Sequence, residues 1–421
     1  MYEKFKAFYN KENFDYSTGD INPYQFHYTF YFFCKAYQVL DQEDDPWATG
    51  MTRLTIFLQN EKRFVKTHIG LMIFNIQHIT EAGTYLIILT YKLLILSVTE
   101  TNTADFHSFL CTLRKDFKYI CSEGSKYRCV LTPHLILYFE IQLATWKVCQ
   151  WSVFFTSFIA VAMFVCSTIF ILFFVTANPN AQRPLLFPLW MWNIDFTATP
   201  LYEFFFCYTM LSVFAFAYNY IFMLQTQIVW IRQVTTKCDV ITWYIQDLFE
   251  EIHPAYNIEQ NQYNNNLIKN GMKKIFKEHQ SMYSLLGDYA KVYKKLVLYE
   301  QKLCAPLVCM TAYCSVEKLD SGEINLILML LCIAVIVQVF IPSYLCTFLA
   351  SKVSSLCDAC WHSKFWNASS IVRPYMVLMM QRSIRPLPLQ AAGFETVSIE
   401  TFSKKMSSAY SFFNMLRQLD I

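Results

Sequence analysis

Residues 324–350, INLILMLLCIAVIVQVFIPSYLCTFLA, run for 27 positions without an Asp, Glu, Lys, Arg or His. As an α-helix rising about 1.5 Å per residue, the stretch reaches about 40 Å, enough to cross a hydrocarbon core about 30 Å thick. A soluble helix of this length would carry charge on its outer face, and this one has none to put there. It reads as a membrane span. Four other stretches qualify: Gly70 to Val98, Val148 to Thr176, Leu201 to Ile231, and Leu296 to Val316. A sixth, Phe394 to Leu419, is long enough but more polar. A seventh must come from the N-terminal region, from the short aromatic Tyr24 to Leu40 or the amphipathic Gly50 to His68.

The composition agrees. The chain is 55% hydrophobic and only 16% charged over 421 residues, well below the roughly one quarter charged of ordinary soluble proteins. It has no linker-like tract and no internal repeat, so it reads as one all-α membrane domain. Three parts are expected: 1–231, with a ligand pocket; 232–300, helical extensions; and 301–421, with the last helices. The first residues lack the apolar core of a signal peptide, so the N-terminus is expected to be retained. A net charge of +3 gives no reason to expect a nucleic-acid partner.

Lys and Arg in the loops set the orientation. Residues 99–147, 232–300 and 351–373 hold six, nine and three, against one each in 177–200 and 317–323. The basic loops are therefore expected in the cytoplasm. The N-terminus is then cytoplasmic and the C-terminus extracellular, the reverse of a G-protein-coupled receptor. The sequon Asn367-Ala368-Ser369 falls on the cytoplasmic side, so it reads as a chance match. Of the fifteen cysteines, many lie in apolar runs, as core cysteines do. Cys357 and Cys360 with His362 lack a second ligand pair for zinc. No metal or cofactor is expected. Walker, nucleophile-elbow and HExxH motifs are missing, which argues against an enzyme.

Arg183-Pro184-Leu185, Phe187-Pro188, Trp190 and Pro200-Leu201-Tyr202 form a proline-rich loop before the next span. Further on come Asp358-Ala359-Cys360-Trp361 and Trp366, Met380-Gln381-Arg382, Arg385-Pro386-Leu387, Ala392-Gly393-Phe394, Ser398-Ile399-Glu400-Thr401-Phe402 and Ser408-Ala409-Tyr410-Ser411-Phe412-Phe413. In this order, over some 240 residues, they resemble the insect odorant receptor family. Pro342 departs from the family pattern and is expected to kink its helix.

The resemblance implies a seven-helix subunit of a ligand-gated, non-selective cation channel. It would be a tuning subunit partnered by an odorant coreceptor, in a heterotetramer at the plasma membrane of sensory-neuron dendrites, gated by a small volatile ligand. A gustatory receptor of the same superfamily and a G-protein-coupled receptor are the alternatives. The last helix is expected to be split into a cytoplasmic part and a pore-lining part, with Ser411, Met415, Gln418 and Leu419 at the pore and gate. Arg417 poses a question there, because a ring of positive charge would repel a cation.

Ligand candidates come from the spans. His78 and Glu81 are three residues apart and share a helix face with Tyr85 close by, and ionisable groups at such depth face a cavity or a partner. Phe158, Ala162 and Val165, then Phe206, Met210 and Phe214, recur at helical spacing. Helix packing explains these equally well. Ile333, Val337 and Phe340 would close such a pocket. In the Lys-rich stretch 268–298, Ile275, Phe276, Tyr283, Leu285 and Leu286 predict one face buried against another helix or subunit.

Overall fold

The computed structural model describes residues 101–126, 133–177, 198–250, 258–320, 326–363, 365–367, 370–385, 389–391 and 395–419, with His27, Gly322 and most of 84–98. His78, Glu81, Tyr85 and the sites proposed for a first span, His27 apart, lie outside the described residues. So do 183–197 of the proline-rich loop.

Long helices dominate. They are α1 (Thr103–Lys126), α2 (Pro133–Ala177), α3 (Leu201–Glu250), α4 (Ile258–Asp320), α5 (Leu326–His362), α6 (Val372–Ile384) and α7 (Ile399–Leu419). A two-residue hairpin, β1 (Gln390–Ala391) and β2 (Glu395–Thr396), separates the last two. The described residues between 84 and 98 are helical. With 63 residues, α4 is about 95 Å long, some three bilayer cores. Within 232–300, residues 232–250 continue α3 and residues 258–300 open α4. Pro306 and Pro342 both sit inside unbroken helices.

The long halves of α3 and α4 share one core with α1, α2, α5, α6 and the residues flanking the hairpin. Trp230 is fully buried. Its ring stacks on Phe109 at 4.2 Å and meets Phe106, Tyr289 and Tyr293 edge-on, and its Nε1–H donates to the Leu285 carbonyl at 3.1 Å. The buried indole therefore keeps its hydrogen bond. Further along, Gly271 lets α3 close on α4, since a Cβ there would stand 2.6 Å from Leu248 Cδ1.

Ile275, Leu285 and Leu286 are buried in this core. Phe276 meets Tyr375 of α6 edge-on, and the Arg382 guanidinium lies 4.2 Å over the Tyr283 ring. The apolar face predicted for this stretch is thus covered by helices of the same chain. Lys237 is paired there, with Glu278 at 3.3 Å and Ser281 at 3.2 Å. His279, buried against Tyr283, has its pKa lowered to about 4 by burial and by the Arg382 charge.

After α6 the chain turns through the hairpin, where Gln390 pairs with Thr396 and Ala391 with Glu395. Leu389 and Val397 flank it, joined by a 3.0 Å backbone bond, and both line a small cleft against Tyr289, Tyr293, Val297 and Cys346. Ser398 then starts α7. Its Oγ accepts from the Thr401 amide at 3.2 Å, and its carbonyl takes the first helical bond, from Phe402. This is how a serine cap satisfies an orphan amide.

Candidate functional site

The most informative element is α7. Phe402, Met406, Ala409, Phe413 and Leu416 fall on one face. They pack against Cys304, Val308, Tyr313 and Cys314 of α4 and Leu328, Cys332 and Val339 of α5. The small Ala409, 3% exposed, lets the helices approach closely. The opposite face carries Lys404, Ser407, Ser408, Ser411, Met415 and Gln418, all exposed. Two of its serines bond back to the helix, Ser408 to the Lys404 carbonyl and Ser411 to that of Ser407, both at 3.0 Å. Such back-bonds let a helix carry hydroxyls without outside partners.

Of the residues expected at the pore, Ser411, Met415 and Gln418 share this exposed face. Leu419 ends the helix. Arg417 lies off the stripe, and its Nη1 meets Asp320 Oδ2, at the end of α4, at 2.6 Å. Its charge is thus paired with α4 and lies outside the stripe.

At its other end α7 is tied down by Lys405, which bonds Glu395 of β2 at 2.8 Å and Gln301 of α4 at 2.5 Å. One residue before Gln301, the fully buried Glu300 carboxylate accepts from the Tyr91 hydroxyl, from Gln338 of α5 at 3.2 Å, and from Gln227 of α3. Gln338 also donates to Tyr91. Sequence reasoning passed over this cluster, although Glu300-Gln301-Lys302 inside an apolar span was a usable signal, since intramembrane ionisable groups are rarely idle.

The predicted ligand residues are dispersed. Phe158, Val165, Ile333, Val337, Phe340 and Phe214 lie on the exposed faces of α2, α5 and α3, while Ala162 and Phe206 are half-buried and Met210 is buried. Phe214 contacts Phe164 of α2, and Phe206 stacks on Tyr202. Phe340 packs edge-on against Phe402, at the start of α7. Near Phe158 and Val165, the buried residues of α2 are Ala160 and Ser167. Among the described residues, no group of three or more His, Cys, Asp or Glu is placed to hold a metal ion. Cys360 is buried, and His362 bonds the Asp358 carbonyl of its own helix.

Residues 109–410 match the model of the 7tm odorant receptor family. The chain belongs to that family. Among its relatives in Drosophila melanogaster, odorant receptor 49a is 25% identical over 189 residues, which is 45% of this chain and 46% of the relative. Odorant receptor 94a is 23% identical over 205 residues, 48% of this chain and 53% of the relative. The matches thus span about half of those relatives' lengths. The fold is similar to the insect olfactory receptor OR5 of Machilis hrabei, with a TM-score of 0.66 at 14% identity, covering 94% of this chain and 99% of that one. The same receptor in complex with eugenol aligns with a TM-score of 0.68 and the same coverage. This family member is therefore an all-helical membrane protein with the insect olfactory receptor fold.

Proposed function

We propose that the chain is the odorant-binding subunit of a ligand-gated, non-selective cation channel that works with an odorant coreceptor in the dendritic plasma membrane of olfactory neurons. Seven spans carry it through the membrane, with the N-terminus inside and the C-terminus outside. The basic loops support this orientation.

One observation carries the channel reading. The polar stripe of α7 is exposed on the side opposite the apolar face that packs on its own subunit. In hydrocarbon, such a stripe would meet nothing to solvate it. Around a central axis it would line a water-filled path, with Met415 and Leu419 as an apolar constriction and Ser411 and Gln418 as its polar neighbours. The likeness to a receptor solved with eugenol supports a small aromatic or aliphatic volatile as the ligand. Met210, Phe206 and Ala162 would supply wall, and Phe158, Val165, Phe214, Ile333, Val337 and Phe340 would supply it where a neighbouring subunit covers them. His78, Glu81 and Tyr85 would supply the polar end.

The test records whole-cell currents from cells expressing this chain with and without an odorant coreceptor, under an odorant panel and a G-protein blocker. Cation currents that need both subunits and survive the blocker are expected. Currents abolished by the blocker would favour the G-protein-coupled alternative and overturn the reading.

A further inference from the structure

The Tyr91, Glu300 and Gln338 cluster is the only place among the described residues where a buried carboxylate joins three separate stretches of helix. Glu300 is 6% exposed and Gln338 is 8%. A carboxylate taken that far from water is costly unless several donors meet it, and here Tyr91, Gln338 and Gln227 do.

The next residue faces the other way. Gln301, 4% exposed, accepts from Lys405 of α7, so adjacent positions on α4 grip the 84–98 stretch and α5 on one side and the foot of α7 on the other. Cys304 lies one turn along α4 from Glu300. It packs in the same cluster as Val339 and Ala409.

Two prolines weaken the helices beside this junction. Proline has no amide hydrogen, so Pro306 leaves the Lys302 carbonyl of α4 without its helical donor, and Pro342 does the same to the Gln338 carbonyl of α5. Each helix is thus most easily bent next to the residue that holds the cluster together.

We infer that Tyr91, Glu300 and Gln338 form a polar junction that, through Gln301 and Lys405, couples the position of the 84–98 stretch and α5 to the tilt of α7. These are positioning residues. The inference deepens the channel reading and rests on it for its consequence, which is that the junction sets how readily the α7 tip moves.

The experiment reads the tip directly. In the full chain co-expressed with an odorant coreceptor, Asp320→Cys and Arg417→Cys are introduced together, and the rate of oxidative cross-linking at the cell surface is followed by mass spectrometry of the linked peptides. This is done alone and with Tyr91→Phe, Glu300→Gln or Lys405→Met, while basal sodium current is recorded from the same variants without the cysteines. Tyr91→Phe lies outside α7, yet it is expected to slow cross-linking about fivefold, as Lys405→Met does, and the pair together no more than the slower one, the mark of coupled sites. An unchanged rate with Tyr91→Phe, or effects that simply multiply, overturns the inference. Glu300→Gln keeps the shape of the site and guards against a folding defect, surface labelling being the control; it too is expected to slow the reaction. A wild-type heteromer that carries no current would defeat the channel reading, whereas the cross-linking result still decides the junction.

Discussion

The two ends of α7 are tied to the same helix, α4, by contacts of different kinds. At the foot, the Lys405 side chain is only 12% exposed and pairs with Glu395 at 2.8 Å, with Gln301 as a second acceptor. At the tip, Arg417 and Asp320 are closer, at 2.6 Å, but 44% and 61% exposed. Distance is the weaker guide. A pair exposed to water is screened and contributes about 0–1 kcal/mol. Breaking a largely buried pair leaves a charge with poor solvation, at a cost of several kcal/mol when burial is complete. By its ion pairs α7 is held more firmly at the foot than at the tip, where Phe413 and Leu416 add apolar packing.

The largest expected effect lies in the body on which the foot rests. His279 has a pKa of about 4 in the fold, against about 6.5 when unfolded. The unfolded chain thus binds the extra proton first. Stability from this group is complete above pH 6.5 and is lost as pH falls from 6.5 towards 4, by up to about 3 kcal/mol. Thermal unfolding in detergent should shift down over that window, and His279→Phe should flatten this part of the profile. An unaltered profile in the variant would show that the acid sensitivity arises elsewhere.

Next comes the anchor. Lys405→Met should cost about 2 kcal/mol, less than a wholly buried pair because Glu395 is 38% exposed. Thermal unfolding would register the loss, and adding Glu395→Gln should return part of it by removing the stranded charge. Equal losses from Lys405→Met and Arg417→Gln would break the contrast between foot and tip.

How far these features could be read in advance depended on the range of the interaction. The α5 span is written in the apolarity of 324–350 alone, and the cap at Ser398 in neighbouring residues. The rotation of α2 was not legible. Phe158 and Val165 share its helical spacing with Ala160 and Ser167, and in a bilayer the lipid face is as apolar as the packed one, so periodicity carries no phase. The polar stripe of α7 could be read, because polarity in a terminal span has few explanations. The direction of Arg417 could not, because its partner Asp320 lies 97 residues earlier. The junction of Tyr91, Glu300 and Gln338 likewise draws on separate helices, and only the oddity of two charged residues, Glu300 and Lys302, in a span announced it.

The smallest effect expected is at the tip, and it sharpens the comparison most. Arg417→Gln and Asp320→Asn should each change unfolding by no more than about 1 kcal/mol. If the tip is the moving part, that same energy is spent on the opening equilibrium, where about 1 kcal/mol is about fivefold in the odorant concentration for half-maximal current. The single variants should lower that concentration, because the contact belongs to the conformation in which α7 lies against α4. The exchange Arg417→Asp with Asp320→Arg should bring it back. High salt should erase the difference between wild type and the single variants, since at about 1 M the screening length is about 3 Å. A shift that persists in high salt, or one that the exchange does not reverse, would mean that Arg417 acts on the permeating ion after all, and α7 would then have to present its charge to the pore.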